Sequence, residues 1–151
     1  MDSEVKLYFE RAENELLLAK TNFDISVKNQ LKEILGIPKE KTFFSDVISQ
    51  AYYSIFYSAK AYLLNKGIKT VPPEEHKKTY KKFKTFVESG KIDKELLKIY
   101  EVETEKAEVL LNIFFEEKRK RGLFTYNVKS EANIPYARES LDNAIKFVSL
   151  I

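Results

Sequence analysis

The chain has 151 residues, 26 basic and 23 acidic side chains, one histidine (His76), and neither cysteine nor tryptophan. The length fits one domain, and 44% apolar with 13% aromatic residues supplies a core and argues against disorder. The missing cysteines exclude disulfides and thiolate metal sites, the lone histidine excludes a multi-histidine metal site within one chain, and a net charge of +3 permits contact with nucleic acid without demanding it.

Glycine and proline divide the sequence into helical blocks. The first runs from Ser3 to Leu35, with Val5, Tyr8, Phe9, Ala12, Leu16, Ala19 and Phe23 recurring at spacings of three and four, and Gly36 and Pro38 after it. Poor helix formers cluster at Thr21–Asp24, which predicts either two helices or one bent there. Ser45 is the expected N-cap of a second helix, Ser45–Lys66, whose stripe is Ile48, Ala51, Tyr52, Ile55, Ala59, Tyr62 and Leu63. Gly67 stops it.

Pro73, Glu74 and Glu75 have the composition of a first helical turn, and the third helix reaches Glu88. Asp93 caps a fourth helix expected to extend to Arg121, and a last helix starts near Ile134 with Pro135 in its first turn. No segment shows the period-two alternation of a strand. The expected fold is an all-α, mostly antiparallel up-and-down bundle of four to five helices. No apolar run approaches the roughly 20 residues that span a bilayer, and Met1-Asp2-Ser3-Glu4 has no signal-peptide character. A cytoplasmic protein with no membrane partner is expected.

Five groups of residues could carry chemistry. Tyr52 and Phe56 share one side of a helix, as do Tyr53 and Tyr57. The second pair is the candidate interface to a second subunit, because tyrosine is enriched at interfaces. Lys77, Lys78, Lys81, Lys82 and Lys84 form a basic flank, either solvated or a phosphate contact. His76 lies in the first turn of that helix, where an imidazole is more often structural than catalytic. Lys118, Arg119, Lys120 and Arg121 close a predicted helix end and offer bidentate phosphate contacts, with Tyr126 following. Glu101, Glu103, Glu105 and Glu108 read as a solvated acidic face, since no paired histidines accompany them. There is no P-loop, no dinucleotide-binding glycine motif and no nucleophile elbow.

Three blocks resemble the HEPN family, small helical prokaryotic proteins often encoded beside a minimal nucleotidyltransferase. They are Arg11-Ala12-Glu13-Asn14-Glu15-Leu16 with Ala19; Ser49-Gln50-Ala51-Tyr52-Tyr53-Ser54-Ile55-Phe56 followed by Ala59-Lys60-Ala61-Tyr62-Leu63-Leu64 and Gly67; and His76, Phe83, Phe86-Val87, Gly90 and Ile92. The resemblance covers most of the chain as a single HEPN-like domain, 1–151. Residues 22–44 run longer than in the usual member and are the candidate for an insertion.

The resemblance implies a helical homodimer without metal or cofactor, working with a nucleotidyltransferase partner in a toxin–antitoxin-like or stress-response system. Active members are metal-independent ribonucleases with an arginine, a histidine four to six residues on, and in toxin members a tyrosine two residues beyond that the partner can modify with AMP. Laid on this sequence, Arg119 is the arginine and Tyr126 the tyrosine, while Phe124 stands where the histidine would fall. Phenylalanine cannot accept a proton, so the leading expectation is binding of RNA or nucleotide phosphate through Arg119, Arg121, Lys118, Lys120, Lys77 and Lys81, without general-base catalysis. The alternatives are an active ribonuclease using Arg119 with a displaced base, His76 or Tyr126, and a non-catalytic interaction scaffold.

Overall fold

The computed structural model describes residues 2–111 and 130–151, and among them every regular element is a helix. These are α1 (Ser3–Val27), α2 (Asn29–Leu35), α3 (Phe44–Asn65), α4 (Glu75–Glu88), α5 (Lys94–Leu111) and α6 (Ser130–Leu150). None is long and apolar enough to cross a membrane. The all-α bundle is as expected, with six helices among the described residues rather than four to five.

The helix ends follow from local chemistry. Asp2 accepts from the Glu4 amide at 2.8 Å and Asp93 from the Glu95 amide at 2.9 Å, so carboxylates cap α1 and α5. At the far end of α3, Gly67 takes φ 84° and the Ile68 amide returns to the Leu63 carbonyl at 2.9 Å, closing the helix with a left-handed glycine.

Four boundaries differ from the sequence expectation. The first block does not break at Thr21–Asp24, because tertiary contacts override weak propensity there. Phe23 is buried against Phe44, the Asn22 amide donates to Gln50 at 2.8 Å, and Thr21 bonds back to the Leu17 carbonyl. The break falls at Lys28, whose backbone is extended. Ser45 is not the cap of α3: the helix starts one residue earlier, and Ser26 of α1 accepts the Phe43 amide at 2.7 Å. Glu74 is not helical but left-handed at φ 57°, and α4 begins after it. Pro135 lies inside α6, which starts at Ser130.

α3 is the hub, packing against α1, α4, α5 and α6. Ala12 and Ala19 of α1 and Ala51 and Ala59 of α3 are fully buried, and such small side chains let helices approach closely. Phe83, Tyr100 and Phe147 join α4, α5 and α6 with ring centroids 5.4–5.8 Å apart. Truncating a buried ring of this kind to alanine costs about 3–5 kcal/mol.

The Glu-rich stretch is not a solvated face. Glu103 is fully buried and Glu108 nearly so. Lys106, itself buried, donates to Glu103 at 3.1 Å, to Ser140 at 3.0 Å and to the Tyr136 carbonyl at 3.3 Å, and pairs with Glu139 at 2.7 Å. Asn143 adds a second donor to Glu103 at 3.0 Å. Glu103 lies three residues after Tyr100 and four before Ala107, on the apolar stripe of α5, so it must enter the core.

Candidate functional site

The residues singled out in the aromatic helix and at His76 come together where α1, α3 and the start of α4 meet. The four-residue repeat along α3 sends Tyr52 and Phe56 into the core and leaves Tyr53 and Tyr57 half-buried one step around the helix. His76 lies over this surface. Its ring stacks on Phe56, centroids 4.1 Å apart and planes at 17°, and its Nδ1 is 2.7 Å from the Tyr52 hydroxyl. Tyr53 meets the same imidazole edge-on at 6.0 Å.

Desolvation in this aromatic setting pushes the His76 pKa below its ordinary 6.5, against the pull of the neighbouring Glu75 carboxylate, and the Lys60 charge adds to the depression. The imidazole is therefore neutral at neutral pH. When Nδ1 accepts the Tyr52 proton, Nε2 carries the ring hydrogen and no lone pair remains to take a proton from a substrate. This geometry suits packing better than base catalysis.

Two cations edge the aromatic wall. Lys60 is buried, pairs with Glu75, and lies 4.7 Å from the Tyr8 ring centroid and 5.8 Å from that of Phe56. Arg11 is exposed and lies 5.8 Å from the Tyr8 ring centroid and 5.7 Å from that of Tyr57. Tyr8 and Tyr57 stack at 6.2 Å, and so do Tyr57 and Tyr53. Partial burial raises the Glu15 pKa, and burial with the nearby Tyr57 and Glu15 raises that of Tyr53.

Lys77 is half-buried and Lys81 exposed on α4 beyond His76. Lys78 reaches back to the Val71 carbonyl at 3.2 Å, so the basic flank is not wholly solvated. Lys118, Arg119, Lys120, Arg121, Phe124 and Tyr126 lie outside the described residues. Among the described residues, no three His, Cys, Asp or Glu side chains are placed to hold a metal.

The sequence reading left Arg11 and Lys60 without a role of their own. Their signal was spacing: Lys60 follows Phe56 by four and Tyr57 by three, and Arg11 follows Tyr8 by three. The chain matches no protein-family model, no curated protein and no solved structure.

Proposed function

We propose that this chain is a HEPN-like helical protein that binds RNA or nucleotide phosphate as a homodimer, beside a minimal nucleotidyltransferase in a toxin–antitoxin-like or stress-response system. One observation carries the reading. The three sequence blocks that bear the resemblance, far apart in the chain, supply most of one aromatic and cationic cluster: Arg11 from α1, Tyr52, Tyr53, Phe56 and Lys60 from α3, and His76 from α4, with Tyr57 of α3 between Arg11 and Phe56.

In this reading Lys77 and Lys81, with Lys118, Arg119, Lys120 and Arg121, neutralise phosphates. The half-buried Tyr53 and Tyr57 meet the second subunit. His76 is a packing residue, since its Nδ1 is engaged by Tyr52 and its face by Phe56, and Phe124 supplies no base in its place. Binding without ribonuclease chemistry follows.

Fluorescence anisotropy with a labelled single-stranded RNA and with labelled AMP tests this. Wild type is expected to bind with a salt-dependent affinity, and Arg119→Ala and Lys77→Ala/Lys81→Ala to weaken it, the salt slope falling by about one per lost phosphate contact. Absence of binding to either probe overturns the reading, and metal-independent RNA cleavage abolished by His76→Ala overturns its non-catalytic part.

A further inference from the structure

Three lysines are buried among the described residues, and they are not equivalent. Lys60 faces Glu75, and Lys106 faces Glu103 and Glu139. Lys32, on α2, is only 3% exposed, yet its ammonium has a single partner among the described residues, the Lys39 carbonyl at 2.9 Å. An ammonium carries three donors, so two are left over, and no carboxylate of the described residues lies within ion-pair distance. A buried cation held by one neutral acceptor is a costly arrangement that an anion would relieve.

The surroundings have room for one. Lys32 walls two adjoining hollows of about 450 and about 580 Å³, which share Asn29, Lys32 and Lys39. Volumes of this order suit a small ligand. Lys39 is exposed and brings a second ammonium, and Asn29 a side-chain amide. Ser26 and Phe44 line the smaller hollow, giving it a polar and an apolar wall. Glu33 and Glu40 border the hollows without pairing with Lys32.

We propose that Lys32 and Lys39 form a binding site for the phosphate group of a small phosphorylated molecule, with Asn29 as a third donor. Two ammonium groups and an amide gathered on the same hollows match a ligand with several anionic oxygens, which a phosphate has. The bond to the Lys39 carbonyl anchors the loop after α2 but uses only one of the three Lys32 donors. The site lies within residues 22–44, the stretch that runs beyond the family resemblance. It is also about 12–18 Å along α3 from the His76 cluster, counting from Phe44 to Tyr52 and Phe56 at the helical rise. It therefore stands or falls independently of the function proposed above.

Amide chemical-shift mapping on the whole chain tests it, with inorganic phosphate and AMP as separate probes at constant ionic strength and chloride as control. The expected result is a saturable shift of the Asn29, Lys32 and Lys39 amides with phosphate and none with chloride. Response to AMP as well identifies a phosphomonoester as the source; response to inorganic phosphate alone identifies the free anion. Lys32→Met is expected to abolish the shifts and Lys39→Gln, which keeps the backbone carbonyl, to weaken binding at least about tenfold. If Lys32→Met fails to fold, Lys39→Gln decides alone. Shifts confined to Lys77–Lys84, equal shifts with chloride, or unchanged affinity in Lys39→Gln overturn the site.

Discussion

Lys106 and Lys32 are the same residue type at the same depth, each 3% exposed, and they teach opposite lessons. Lys106 is enclosed by two carboxylates, a hydroxyl and a carbonyl contributed by α5 and α6, so it ties one helix to the other. Lys32 donates to one carbonyl, that of Lys39, and lines two hollows. Burial alone therefore does not distinguish a lysine that ties two helices together from one held by a single carbonyl. The partner inventory does, because a buried charge is tolerated in proportion to the groups that replace its water.

The largest difference between the two regions is expected from removing one partner. Glu103→Ala leaves Lys106 short of its fully buried counter-ion and is expected to cost about 3–5 kcal/mol in denaturant unfolding. Glu103→Met/Lys106→Met, which removes both charges, is expected to recover most of that loss; a double variant as unstable as the single would mean that the pair is not the source of the cost. Lys32→Met should differ from wild type by no more than about 1 kcal/mol, because one hydrogen bond is lost while an uncompensated charge is removed. A loss as large as that of Glu103→Ala would show that Lys32 is a structural tie like Lys106.

Between these extremes lies the His76 cluster, where a half-buried titratable group is held neutral. Because its folded pKa lies below the ordinary 6.5, the unfolded chain binds more protons once the pH drops beneath that value. Wild type is thus expected to lose stability relative to His76→Phe as pH falls from about 7.5 to about 5.5, with a slope of at most about 1.4 kcal/mol per pH unit. The difference levels off below the folded pKa. Parallel stability curves for the two proteins would show that folding does not lower the His76 pKa.

Much of the fold was legible from spacing. The apolar stripes, Asp93 as a cap and Gly36 and Gly67 as stops follow from helical period and backbone preference, both local properties. The aromatic pairs of α3 were legible for the same reason. The boundaries that moved did so where another element intervened: Ser26 caps α3 from α1, and Phe23 and Asn22 hold α1 straight through a weak stretch. The acidic stretch was misread because charge was weighed above period at Glu103.

The sequence by itself determined an all-α chain, the helix faces that must turn inward, and the absence of any disulfide or multi-histidine metal site within one chain, since each depends on composition or on neighbours within a turn or two. Only the tertiary structure decided that His76 bonds Tyr52 and stacks on Phe56, that Lys60 and Lys106 find carboxylates, and that Lys32 finds none among the described residues. The physical reason is that the state of a buried polar group depends on what other helices bring within about 3 Å of it, a distance at which sequence separation carries no information.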